Sequence, residues 1–306
     1  MPILSIIVIF HNMQREARRT LYSLNTIYQT NVKGSDFEVI AIDNGSTKPL
    51  NSDEVRAYGP NFRYHFFATN SVSPAEAVNA GVSMAQGKYV AVIVDGARMT
   101  TPGLVCNTLK TLQLFPEPFV CSLSWHLGPD IQGMAMQAGY DQTEEDRLLA
   151  SINWREDGYK LFDISTIAPS SKKGFFDGVP PECSWFAMKK TSFLQIGGFE
   201  KRFQSPGGGF VNHDFRNRAL SDLESQPIVL LGEGVFHQFH GGVATNIKTQ
   251  ELPNTLKVFR DEYITIRKHK NIHQHAPPAI YFGMLPKKAR RFIGTNEEPN
   301  TGSHSR

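Results

Sequence analysis

Residues 88–103 read KYVAVIVDGARMTTPG: an apolar run at 89–94 rich in β-branched types, a single carboxylate at Asp95, a Gly96-Ala97 turn and then Pro102. A near-continuous apolar run of that length suits a strand covered on both faces, as at the centre of a parallel sheet. An acid just past the carboxyl end of such a strand stands where open α/β sheets bind ligands. The same acid alone reads equally well as a turn residue or a helix cap. The rest of the chain has to decide between the two.

The strand signature recurs at 3–10 (ILSIIVIF), closed by His11-Asn12, and at 37–42, closed by Asp43-Asn44-Gly45-Ser46. A further strand is expected at 63–68. Helical spacing runs over 14–28 and 102–115, and 74–85 predicts a helix that opens on Pro74 and stops before Gly87. Strand, helix, strand, strand, helix, strand predicts an α/β fold: a doubly wound, mostly parallel sheet with helices on both faces. Parallel strands would aim Asn12, Asp43 and Asp95 at one crevice. Farther on the pattern thins. Strands are expected at 119–123, 184–188 and 228–231, and helices at 141–151, 191–196, 211–220 and 253–270. Residues 153–181 read as a long irregular segment, which inside a compact domain is usually functional or mobile.

A chain of 306 residues buries a large core as one domain, or as a core domain with a second lobe. A net charge of +3 with no recognition motif argues against nucleic acid as a partner. Cys106, Cys121 and Cys183 are odd in number and lack metal-ligand spacing, which suits reduced thiols in a cytoplasmic protein. No apolar run is long enough to span a bilayer, so a soluble chain is expected. The basic run PKKARR (286–291) is either a solvated tail or a contact to an anionic membrane face or a lipid-linked acceptor.

Several residues carry two readings each. Asp43 is a turn acid or a hydrogen-bond acceptor for a nucleobase. Asn70, Pro74 and Asn79 form a loop and helix entry, or place that helix against the same nucleotide. His237 and His240 of FHQFH would face opposite sides of a strand, so only one is expected to point into a site. Asp214 follows a glycine run at a helix start; it is a dipole-favoured acid or a general base, with His213 beside it as a second titratable group. Trp154 and Trp185 are core residues or platforms for a sugar ring.

Taken together, the motifs resemble family 2 glycosyltransferases of the GT-A fold. SIIVIFHN resembles that family's first strand, and DNGST its nucleobase-binding acid. TNSVSPAEAVNAG with AQGKYVAVIVDGARMTTPG is similar to the stretch leading into the Asp-x-Asp motif. CSWFAMKKTSFLQIGGFEKRF resembles the acceptor-side block, VNHDFRNRAL the catalytic-acid segment, and GEGVFHQFHGG a late strand with a metal-ligating histidine. The resemblance covers about 3–245 and implies inverting hexosyl transfer from a nucleoside-diphosphate sugar to a saccharide or lipid-linked acceptor, as in polysaccharide biosynthesis. It implies a nucleotide-sugar-binding half at 1–125 and an acceptor-binding and catalytic half at 126–245. A helical extension at 246–292 and a disordered tail at 293–306 complete the expected organisation. Nucleotide contacts are expected from Phe10, Asn12, Asp43, Asn70, Pro74, Asn79 and Asp95, and acceptor contacts from Trp185 and His213. Asp95 and His237 would hold manganese or magnesium, and Asp214 would be the general base.

Two positions depart from the family pattern. Ala97 stands where the second Asp of Asp-x-Asp belongs, and Asn212 stands where the usual base belongs. They keep open the alternative of a non-catalytic nucleotide-sugar or glycan-binding protein, and of Arg98 acting in place of a metal.

Overall fold

The run LSIIVIF carries branched and aromatic side chains on both faces of any strand it forms. It is the fully buried β1 (Leu4–Phe10), and FEVIAIDN is the fully buried β2 (Phe37–Asn44). The structure, a computed structural model, describes residues 1–293 except 243, 244, 248, 249, 273 and 275. The expected tail lies outside the described residues from 294 onward. The remaining strands are β3 (Phe62–Phe67), β4 (Tyr89–Ile93), β5 (Arg98–Thr100), β6 (Pro118–Leu127), β7 (Ser165–Ile167), β8 (Phe186–Lys189), β9 (Gln226–His237) and β10 (Ile280–Phe282). They form one sheet in the order β10-β9-β6-β8-β4-β1-β2-β3, with β5 added against β9 and β7 against β6.

Direction is what positions the site. β1 is parallel to β2 and β4, β6 is parallel to β9, and β8 lies antiparallel between β4 and β6. Two reversals cancel, so β1, β2, β4, β6 and β9 all run the same way. Their carboxyl ends meet at one edge of the sheet.

The helices are α1 (Gln14–Ser23), α2 (Ser52–Arg56), α3 (Ala75–Met84), α4 (Leu104–Thr111), α5 (Gln132–Ala135), α6 (Gln142–Ser151), α7 (Lys190–Gln195), α8 (Val211–Ser221) and α9 (Leu252–Arg267). Alternation along β1 splits the core in two. Ile6 and Val8 pack with Ala17 and Leu21 of α1 and Leu104 and Leu109 of α4, while Ile7 and Ile9 pack with Val78 and Val82 of α3. Each such buried aliphatic side chain contributes about 1.5–3 kcal/mol. The sheet is doubly wound, as the strand–helix order predicts.

Differences from the sequence reading lie where local pattern is weak. β5 is too short for any period to register and exists through its pairing with β9. β9 runs well beyond 228–231, through Gly232 and Gly234, to His237. Gly234 is required there, because a side chain would strike the Trp125 ring. Residues 153–181 contain β7, and Ile280–Phe282 joins the main sheet beside β9. The basic run is not a free tail: Lys288 pairs with Asp163, and Arg291 donates to the carbonyls of Phe162 and Ser165. All three cysteines are free and buried. No described helix is long and apolar enough to cross a membrane.

Candidate active site

Asp95 leaves β4 at the common edge. Its Oδ1 accepts the Ala97 N–H at 3.1 Å, and the Gly96 N–H donates to the Ile9 carbonyl at 2.7 Å. Gly96 has to be glycine, since a Cβ would lie 2.3 Å from the Phe10 ring. This turn carries Ala97 into the core, so the position of the missing second acid does not face the crevice. Arg98 comes next, paired in β5 with His237 of β9. Its guanidinium lies 3.4 Å from Asp95 Oδ2 and donates to Ser124 Oγ at 3.1 Å.

Both histidines of FHQFH reach Asp95. His237 Nε2 is 2.9 Å from Oδ2, and His240 Nε2 is 3.4 Å from Oδ1. The expectation that only one points into the site is corrected: β9 ends at His237, and alternation ends with it. Gly241, at φ +86, turns the chain back, and Asn246 Oδ1 accepts the N–H groups of His240, Gly241 and Gly242 at 3.2, 3.0 and 3.0 Å. Gln132 sets the tautomer of His237. Its amide nitrogen donates to the carbonyls of Leu127 and His237, so its oxygen faces His237 Nδ1 at 2.6 Å. Nδ1 therefore bears the hydrogen, which leaves Nε2 as the nitrogen available to ligate a cation held between it and Asp95.

Ligand atoms of Asp95, His237 and His240 all lie within 4.8 Å of one another. One carboxylate and two imidazoles, one of them held in the ligating tautomer, fit a divalent cation. Electrostatics agree. Burial would raise the Asp95 pKa, but His240 and His237 hold it well below the usual carboxylate range. Burial, with Arg98 beside it, brings His237 down to about 4, against the pull of Asp95. Burial also disfavours a charged His240, yet Asp95 outweighs it and the pKa is raised.

Asp95 and His240 line a cleft of about 460 Å³ at the carboxyl edge. Its lining includes Asn12, Asn44, Pro74, Asp95, Arg98, Glu182, Asn212, His240 and Phe259. Of the expected nucleotide contacts, Asn12, Pro74 and Asp95 are there. Phe10 is not; its ring is core packing beneath Gly96. Asp43 is fully buried and spends both oxygens on the N–H groups of Ser46 and Leu50, so it serves its turn, and Asn44 beside it faces the cleft. Asn79 is committed to both backbone groups of Phe199, and exposed Asn70 lies outside the cleft lining.

The expected acceptor and base residues fare similarly. Trp185 is fully buried and donates to Thr108 Oγ1, and Trp154 is buried edge-on to Tyr22 and Tyr28, so neither offers a face to a sugar. His213 stands edge-on to Phe210, outside the lining. Asp214, 2% exposed, is clamped by Arg218 at 2.9 Å and by Arg267 through both carboxylate oxygens. It too does not line the cleft. Sequence reasoning did not include His240, Gln132, Asn44 and Glu182 in the site. The glycine pair after His240 was a usable signal for a reversal that brings that imidazole back; the others carry no local mark.

Residues 5–95 match the model of Glycosyl transferase family 2. Among solved structures, residues 1–349 of S. aureus TarS in complex with UDP-GlcNAc align at TM-score 0.54 and 12% identity over 86% of this chain and 67% of that one. The same region of TarS with UDP aligns at 0.50 and 12% identity over 86% of this chain and 66% of that one. The mannosyltransferase PcManGT from Pyrobaculum calidifontis, in complex with GDP-Man and Mn2+, aligns at 0.53 and 15% identity over 90% of this chain and 66% of that one. This is a GT-A fold. The resemblance to family 2 glycosyltransferases therefore stands on both sequence and architecture, and the GT-A chain described here spans about two thirds of the lengths of these neighbours. No curated protein matches its sequence.

Proposed function

We propose that this chain transfers a sugar from a nucleoside-diphosphate donor to an acceptor hydroxyl on a saccharide or lipid-linked molecule, with inversion at the anomeric carbon. The observation that carries the reading is the convergence of Asp95, His237 and His240 at the carboxyl edge of a GT-A sheet, where Asp95 and His240 line the cleft. Asn12 and Asn44 both line the cleft and would meet the nucleoside in this reading; Asn44 Oδ1 is buried without a hydrogen-bond partner among the described residues, an acceptor suited to a base N–H. Asp95, His237 and His240 would hold a divalent cation, which when bound neutralises charge developing on a leaving diphosphate. Arg98 adds a positive charge in the same cleft lining, 3.4 Å from Asp95. Asp214 is not proposed as the base, because a carboxylate shared between two guanidinium groups is poorly placed to take a proton. PKKARR is not proposed as a membrane contact, since Lys288 and Arg291 already have partners.

The test is release of nucleoside diphosphate from UDP- and GDP-sugars by the purified chain with manganese. Release that is abolished by Asp95→Asn supports transfer. Ala97 and Asn212, in place of two family acids, favour as the second reading a binding protein that holds the donor intact; binding without release would establish it.

A further inference from the structure

We propose that Glu182 is the general base of this site, rather than a residue of the helix start where Asn212 stands. This rests on the transfer reading above. Among the described residues two carboxylates line the cleft, Asp95 and Glu182, and Asp95 is engaged by two imidazoles and Arg98. Glu182 makes no hydrogen bond or ion pair with a described residue. Other acids of the region are committed: Asp214 to Arg218 and Arg267, Asp43 to two backbone N–H groups, and Glu233 to Thr101, Tyr159 and Asn107. Glu182 is half-buried in the cleft lining, and its carboxylate is left available to an incoming hydroxyl.

The fold explains the placement. β8 runs antiparallel to β4 with Phe186 opposite Val92, so the chain just before β8 and the chain just after β4 reach the same part of the cleft. Asn212 reinforces this by donating from Nδ2 to the carbonyl of Cys183, the residue next to Glu182, at 2.9 Å. The Asn212 amide thus pins the segment that carries Glu182. Burial raises the Glu182 pKa, Arg98 opposes that and Asp95 adds to it, which moves the carboxylate toward the basicity a neutral-pH base needs.

In the step, the acceptor O–H gives its proton to the Glu182 carboxylate as its oxygen forms a bond to the anomeric carbon. The bond from that carbon to the diphosphate oxygen breaks, and its electron pair leaves with the nucleoside diphosphate. Glu182 then returns the proton to solvent.

The experiment uses the full chain with a panel of UDP- and GDP-sugars and manganese. It reads nucleoside diphosphate release to water, and thermal stabilisation by UDP or GDP with manganese. Glu182→Gln is expected to lower release about 100-fold or more while the diphosphate-dependent thermal shift stays at its wild-type size. Glu182→Asp should recover part of the rate. Wild-type release by Glu182→Gln would overturn the assignment, and so would loss of the thermal shift together with release, since that marks a binding or folding role. A wild-type chain that shows neither shift nor release would overturn the transfer reading itself, and the base with it.

Discussion

Gln132 shows how much of this site is decided one hydrogen at a time. Its oxygen, facing His237 Nδ1 and receiving Asn246 Nδ2 at 2.9 Å, keeps the imidazole in the tautomer that ligates through Nε2. Removing such an outer partner usually weakens metal binding about 10–100-fold, so Gln132→Leu should do so in calorimetric titration with manganese. His240→Ala should cost at least about tenfold by removing a ligand outright. The pH dependence follows from His240, whose pKa lies above its ordinary 6.5 because Asp95 outweighs burial. The stabilising His240–Asp95 interaction of the metal-free chain is thus fully present below 6.5 and is lost as pH rises through the raised value. A cation must displace that proton. Manganese affinity should fall about tenfold per pH unit below the raised value, with about one proton released per ion, read from titrations in buffers of different ionisation enthalpy.

Among elements, α9 lies beyond the family resemblance yet helps hold the cleft together. Arg267 of α9 closes on Asp214 of α8, and Glu262 of α9 accepts the backbone N–H groups of Gln204 and Ser205 at 2.7 and 2.9 Å. Those bonds seat the turn at Pro206–Gly208, and Phe259 of α9 supplies part of the cleft wall. Asp214→Ala would strand two guanidinium groups at a largely buried junction. It should destabilise the chain by about 3 kcal/mol, measured by denaturant unfolding, while the fraction that remains folded keeps its affinity for diphosphate. A selective loss of release with unchanged stability would instead return the base role to Asp214.

For the molecule as a whole, a ligand that binds only the folded state raises its stability with occupancy. UDP or GDP at about a hundred times its dissociation constant should add about 2.7 kcal/mol, seen as a higher melting temperature. That gain should shrink when manganese is removed or when His237 becomes Ala. What the sequence by itself determined is the scaffold. Apolar runs at 4–10, 37–44 and 89–93, separated by helical spacing, are local signals of burial, and they were legible because alternation and periodicity are properties of neighbouring residues. Asp95, just past the third of these, was legible for the same reason. Only the tertiary structure decided which acids are free and which histidines meet. Asp214 looks catalytic until Arg267, 53 residues away, is seen to claim it, and His237 owes its tautomer to Gln132, 105 residues distant. Glu182 has no motif at all; it shares the cleft lining with Asp95 because β8 and β4 run opposite ways. Hydrogen-bond partners are set by where the chain returns to itself, and no stretch of neighbouring residues holds that information.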